Sequence, residues 1–184
     1  YTRTYTLSLH DALPIYGLQP SPETKKIVSY LPDTTYLNEK MKVKDALQYF
    51  QSFYADFEME RAQALLQDLH IDENLAFKKL SKGNKEKVQL ILVMSRQAKL
   101  YVLDEPIGGV DPAARDYILK TIINNYSPSA SVLISTHLIS DIEPILDEII
   151  FIDNGKIVRQ GNVDDIRYES GGSIDQLFRQ EFKA

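Results

Sequence analysis

The sequence predicts an α/β protein, a core sheet of parallel strands carrying a helical insertion. Three observations predict it. Leu100-Tyr101-Val102-Leu103 is an apolar run too short for a typical helix; it reads as a strand buried on both faces and ends in two adjacent carboxylates, Asp104 and Glu105. Similar β-type runs occur at Ile27-Val28-Ser29-Tyr30-Leu31 and at Ser131-Val132-Leu133-Ile134-Ser135. Between residues 31 and 100 lie two stretches whose apolar residues recur at the spacing of one helix face.

In chain order, Tyr1 to Ile15 (YTRTYTLSLHDALPI) differs in character from the rest of the chain. It resembles a translated sequencing-library adapter and is expected to be foreign to the protein. The other reading is a short amphipathic strand, Tyr5 to Leu9, with His10-Asp11 as a turn. From Tyr16 the sequence becomes coherent. Pro20-Ser21-Pro22 reads as a turn, the strand at Ile27 to Leu31 is stopped by Pro32, and Asp33-Thr34-Thr35 is a polar loop. One helix then carries Val43, Ala46, Leu47, Phe50, Phe53 and Tyr54, and a second carries Met59, Ala62, Leu65, Leu66 and Leu69. Both stripes are the ordinary device for burial. The insertion is expected over about 40–98, the sheet core over about 16–39 and 99–165, and a closing helix over about 173–183.

At Leu80-Ser81-Lys82-Gly83-Asn84, Ser81 or Asn84 can cap a helix running through Val88, Leu92 and Met94. Free amides at a helix start make a ready anion site, and a plain N-cap looks the same. Past Glu105, Ile107 to Pro112 is a flexible loop, and Pro112 opens a helix from Ala113 to Ile123. Ser131 to His137 reads as another buried strand with a polar end, followed by a helix around Ile139 to Leu146. Glu148 to Ile152 and Ile157-Val158 flank Asn154-Gly155, a strong hairpin signal. A polar stretch through Gly171-Gly172 leads to an amphipathic helix, Ile174 to Phe182.

Composition narrows the function classes. The 184 residues are 43% hydrophobic and 26% charged, as in ordinary globular proteins. A net charge of -5 argues against bulk attraction to nucleic acid, and no nucleic-acid partner is expected. With no cysteine, disulfides and thiolate zinc sites are excluded. The longest apolar run noted, Leu90 to Met94, is far below the roughly 18 residues of a membrane span. Asp104 and Glu105 are the chemical centre. Ligands bind beyond the carboxyl ends of parallel strands, where one acid can hold Mg2+ through its water shell and the next can take a proton from an attacking water. Ordinary strand-to-loop turns also end in Asp.

The order and spacing of these motifs resemble those of ATP-binding-cassette (ABC) ATPases, most closely the ATPase subunits of bacterial ABC-2-type exporters. Leu80-Ser81-Lys82-Gly83-Asn84 resembles the family signature, Leu-Ser-Gly-Gly-Gln. Asp104 resembles the Walker B aspartate and Glu105 the catalytic glutamate. Gly109-Val110-Asp111 looks like the D-loop, His137 like the switch histidine, and Leu31-Pro32-Asp33 falls at the Q-loop. The resemblance implies a P-loop NTPase-like fold, ATP and Mg2+ as ligands, and hydrolysis of ATP coupled to transport. It implies Asp104 orienting Mg2+ through water, with Asp33 as a further acid near the metal, Glu105 polarising the attacking water, and His137 contacting the γ-phosphate. Ser81, Gly83 and Asn84 would touch ATP bound to a second ATPase subunit, in a homo- or heterodimer, with Asp111 across that interface. A polytopic membrane permease would be the other partner, and the protein would sit peripherally on the cytoplasmic face of the membrane.

Three departures from the family pattern stand out. Lys82 and Asn84 replace a Gly and a Gln of the signature, and Asp33 replaces the Q-loop Gln. No G-x-x-x-x-G-K-[S/T] occurs in the 184 residues. The expectation is therefore an ABC ATPase domain incomplete at its N-terminus and inactive as written. The alternatives are a non-catalytic partner in an ABC ATPase heterodimer and a soluble ABC-type ATPase of DNA repair or translation.

Overall fold

The computed structural model describes residues 17–182, which form two compact units, 17–135 and 136–182. The reading of Tyr1 to Ile15 as foreign lies outside the described residues.

The first unit runs α1 (Pro22–Ile27), β1 (Val28–Leu31), α2 (Val43–Phe53), α3 (Met59–Asp68), α4 (Lys82–Met94), β2 (Leu100–Asp104), α5 (Pro112–Asn125) and β3 (Ser131–Ser135). The strands make one parallel sheet in the order β1-β2-β3. Parallel neighbours need long crossovers. Here α2, α3 and α4 make the first crossover and α5 the second.

Helix α1 narrows the reading of Pro20-Ser21-Pro22 as a turn: the chain bends at Pro20 and Ser21, and Pro22 already belongs to the helix. Ser21 is its N-cap: the Ser21 Oγ accepts the Thr24 N–H at 3.3 Å, and the Thr24 Oγ1 accepts the Ser21 N–H at 2.8 Å. Pro22 then sits at the first helical position, where its missing N–H has no intrahelical partner to lose.

The insertion closes on itself. Val43, Ala46, Leu47 and Phe50 from α2, Ala62, Leu65 and Leu66 from α3, and Val88, Ile91 and Leu92 from α4 form one cluster that also buries Phe77. Phe53, placed on the buried stripe by spacing, is 67% exposed and stacks on Tyr49, with ring centroids 4.5 Å apart. It is Tyr54, the C-cap residue, that packs back on the cluster.

The sheet, by contrast, is covered on one face. Ser29, Leu31, Tyr101 and Leu103 are buried, whereas the row Tyr30, Val102, Leu133, aligned by strand register, carries two side chains 52% exposed, Tyr30 and Leu133. So β2 is not buried on both faces, and β3 is not the buried strand its composition suggested. Among the described residues β3 pairs only with β2. An apolar run shows that a strand is suited to burial and does not show which layers cover it.

A buried arginine joins insertion to sheet. Arg96 bonds both Asp56 carboxylate oxygens at 3.1 Å, donates to the Val28 and Lys26 carbonyls at 2.6 Å, and lies 3.8 Å over the Tyr54 ring. The turn between α2 and α3 is thereby fixed to the start of β1.

The second unit runs α6 (Ile139–Ile142), β4 (Glu148–Asp153), β5 (Lys156–Asn162), α7 (Val163–Ser170) and α8 (Ile174–Glu181). Strands β4 and β5 are the expected antiparallel hairpin, and Asn154 and Gly155 take φ of 47° and 76°, the left-handed values that a tight hairpin turn demands. Helix α7 replaces what read as a polar stretch. Its N-cap Asn162 accepts the Asp164 N–H at 2.9 Å, and Gly171 ends it at φ 66°.

Candidate functional site

Asp104 ends β2, the middle strand, and pairs with Ser135 on β3. The Ser135 hydroxyl donates to Asp104 Oδ1 at 2.5 Å, so the neighbouring strand sets the direction of the carboxylate. Glu105 leaves the sheet at φ 48°, a left-handed conformation uncommon for a non-glycine residue. Its N–H still reaches the Ser135 carbonyl at 2.9 Å, while its own carbonyl accepts the Gly108 N–H at 2.9 Å. The tight turn after it favours a residue as small as Gly108. A Cβ there would stand 3.2 Å from the Glu105 carbonyl oxygen and 3.3 Å from its Cβ. Backbone strain of about 1–3 kcal/mol at such a residue persists only where its surroundings hold it. Buried Ile107 and Val110 supply that anchorage.

The Asp33 loop comes to the same end of the sheet. Burial raises the Tyr30 hydroxyl above its usual pKa, and the carboxylates of Asp104 and Asp33 add to the rise, so both acids act on one side chain of β1. Asp33 is exposed. Among the described residues no group of three or more His, Asp or Glu side chains is arranged to hold a metal ion. Two acids at one sheet end, with few protein ligands, suit Mg2+, which keeps several of its waters and takes the rest of its shell from phosphates.

Ser81 is the N-cap of α4, its Oγ accepting the Asn84 N–H at 3.2 Å. Gly83 has open space around its missing Cβ, and Asn84 is half-buried in the first turn. Asp111 is exposed, and its carbonyl accepts the Arg115 N–H at 3.1 Å. His137 is exposed and lies in the second unit, two residues beyond Ser135. Of the residues singled out by sequence, Asp104, Glu105 and Asp33 thus share the strand-end region of the first unit, and Ser81, Gly83 and Asn84 occupy one helix start.

Along α4, sequence reasoning noted Lys82 only as a departure from the family signature and missed Glu86 and Gln89. A Cβ built on Gly109, itself at φ 74°, would come 2.8 Å from Lys82 Nζ and 3.9 Å from Glu86 Oε1. Lys82 and Glu86 pair across one turn at 3.8 Å. Burial raises the Glu86 carboxyl above its ordinary value against the pull of Lys82, and Asp33 adds to the rise. Gln89 is 3% exposed, and its amide donates to Thr35 Oγ1 at 3.3 Å. For Gln89 the signal was a polar residue beside the apolar run that starts at Leu90.

Comparisons with known proteins identify the family. The profile of the family described as "ABC transporter" matches residues 8–108. The ABC transporter ATP-binding protein YhaQ of Bacillus subtilis is 31% identical over 78% of this chain and 50% of its own length. SkfE of the same organism, named for export of the SkfA peptide, is 27% identical over 73% of this chain and 59% of its own. A solved structure of an "ATP binding subunit of ABC transporter" superposes with a TM-score of 0.80 at 28% identity, covering 91% of this chain and 74% of that one. The chain therefore belongs to the ABC transporter family, among its ATP-binding subunits, with the α/β fold of P-loop NTPases. It spans about half the length of YhaQ.

Proposed function

We propose that this chain provides the hydrolytic carboxylates and the signature helix of an ATP-hydrolysing ABC exporter subunit. The observation that carries this reading is the end of β2. Asp104 is oriented by Ser135, and Glu105 is held in a left-handed turn directly after it. Glu105 takes the proton of the attacking water, and Asp104, with Asp33 nearby, would hold Mg2+ through its waters. When bound, the cation offsets phosphate charge. His137 contacts the γ-phosphate. Ser81, Gly83 and Asn84 contact the γ-phosphate of ATP on a second ATPase subunit, with Asp111 across the interface. A polytopic permease binds at the helical insertion and the Asp33 loop and holds the protein at the cytoplasmic face of the membrane. Among the described residues no helix is long and apolar enough to cross a membrane. The name of SkfE supports the outward direction.

Turnover needs a glycine-rich lysine loop, which these 184 residues do not contain, so they are expected by themselves to bind Mg-ATP more weakly than micromolar. The test uses the polypeptide as its native locus encodes it. Glu105→Gln should keep ATP binding and lower kcat by about 10²–10⁴-fold. Unchanged kcat rejects the assignment. The missing loop motif also favours a second reading, a non-catalytic half of a heterodimer. That reading prevails if the locus-encoded protein binds no Mg-ATP and yet raises turnover by a complete ATPase.

A further inference from the structure

Lys82, Glu86 and Gln89 lie at i, i+4 and i+7 on α4 and therefore share one helix face. That face meets two loops. Toward the helix start, the Lys82 amine and the Glu86 carboxylate lie against Gly109, four residues past Glu105. One to two turns on, Gln89 bonds Thr35, two residues past Asp33. Glu86 also interacts electrostatically with Asp33, so it lies between the two loop contacts. Glu86 Oε2 and Gln89 Oε1 are both buried without a hydrogen-bond partner among the described residues. Unpaired buried oxygens are costly, and such a pair on one helix face points to a role other than stabilising that helix.

We infer that the Lys82-Glu86-Gln89 face of α4 is a positioning device that ties the Gly108-Gly109 turn and the Asp33-Thr35 loop to the helix capped by Ser81. Lys82 is central to it. Where the family signature has glycine, no side chain could reach the turn behind Glu105. Here a lysine does, so the signature serine and the carboxylate turn of the same chain are mechanically joined. The inference rests on the functional reading above for its catalytic meaning and on contacts within the first unit for its structural meaning. In that catalytic sense, movement of the turn carrying Glu105 in one half-site is passed to the Ser81 that this chain offers to the other.

The structural part is tested without nucleotide, by amide hydrogen exchange on the full chain resolved to short peptides. Lys82→Ala should speed exchange about tenfold at 107–110 and leave 33–36 unchanged, since an opening free energy falls by about 1.4 kcal/mol per tenfold. Gln89→Leu should do the reverse, and Glu86→Ala should speed both, with partial rescue by Glu86→Gln, which keeps an acceptor. Lys82 has a side chain 77% exposed, so its variant folds even if the others do not. Unchanged exchange at 107–110 in Lys82→Ala, or a uniform rise along α4, overturns the inference. In the locus-encoded protein, Lys82→Ala should lower kcat about threefold to tenfold with KM within twofold. Loss confined to KM would also overturn it. Absence of turnover in every form, the unsubstituted one included, would sink the functional reading instead and leave the exchange result to decide the linkage.

Discussion

The helical insertion and the sheet of the first unit both rest on apolar side chains and are finished differently. In the insertion, Val43, Ala46, Ala62, Phe77, Val88 and Leu92 have no exposed surface at all, and three helices enclose them. In the sheet, Tyr101 and Leu103 are as deeply buried, but one residue along each strand the opposite face leaves Tyr30 and Leu133 half in water. The difference teaches where this chain is self-sufficient. Three amphipathic helices can cover one another, whereas a sheet has two faces and two edges and needs a layer for each.

Breaking the closed side should have the largest effect. Phe77→Ala removes a fully buried ring from a packed cluster and should cost about 3–5 kcal/mol in urea unfolding. A loss under about 1 kcal/mol would mean that the cluster relaxes around the void and is not closed. Arg96→Ala should cost a similar ~3–5 kcal/mol, because it leaves Asp56 and the Val28 and Lys26 carbonyls without their donor. It should also uncouple insertion from sheet, seen as faster exchange at Lys26 to Ser29 than at Leu65 to Leu66. Uniform exchange would show that the two are joined by other means.

The second unit extends the comparison with a buried carboxylate beside an apolar and aromatic cluster. Glu143, only 7% exposed, accepts the Ile174 N–H at 3.0 Å and the Arg167 Nε–H at 2.8 Å, which secures the start of α8. Burial by itself would raise its carboxyl, but the bonds from Ile174, Arg167 and Asp175 outweigh it and hold the pKa below the usual 4.5. A depressed acid stabilises the fold at pH above its unfolded value, and that stability is lost as pH falls through the folded value. Unfolding followed from pH 7 downward should therefore steepen below about pH 4.5, and Glu143→Gln should cost about 1–3 kcal/mol at neutral pH while flattening that acid limb. An unchanged acid limb in the variant would assign the loss to other carboxylates.

The open side should respond least in stability and most in association. Leu133→Lys, on a strand paired on one side among the described residues, should change stability by no more than about 0.5 kcal/mol. It should also reduce self-association in size-exclusion chromatography, because a charge on an exposed strand discourages edge pairing. A large loss of stability would show that the outer face of the sheet is covered in solution.

Much of this arrangement was legible in the residues, and the limits have physical causes. The Asn154-Gly155 hairpin, a helix cap within Ser81 to Asn84 and the helix opened by Pro112 were readable because each is a local event, decided by φ preference or by one side chain reaching a nearby amide. Helix α7 was not readable, because its sequence VDDIRYES carries few apolar residues, and it is held by Asn162 at one end, Gly171 at the other and two buried side chains, Val163 and Ile166. Phe53 satisfied the helical spacing and still lies outside, since the period names a face and only the neighbouring helices decide how wide that face is.

The candidate site divides in the same way. The sequence by itself determined that a strand would end in Asp104 and Glu105 and that a capped helix would begin at Ser81 or Asn84, because apolar runs, caps and prolines act over a few residues. Only the tertiary structure decided that Ser135 would aim Asp104, that Glu105 would turn through a left-handed conformation, and that Lys82 and Gln89 would meet loops far from them in the chain. Those contacts depend on strand register and on which helix face lies beneath which loop. They are relations between distant surfaces, and packing fixes them.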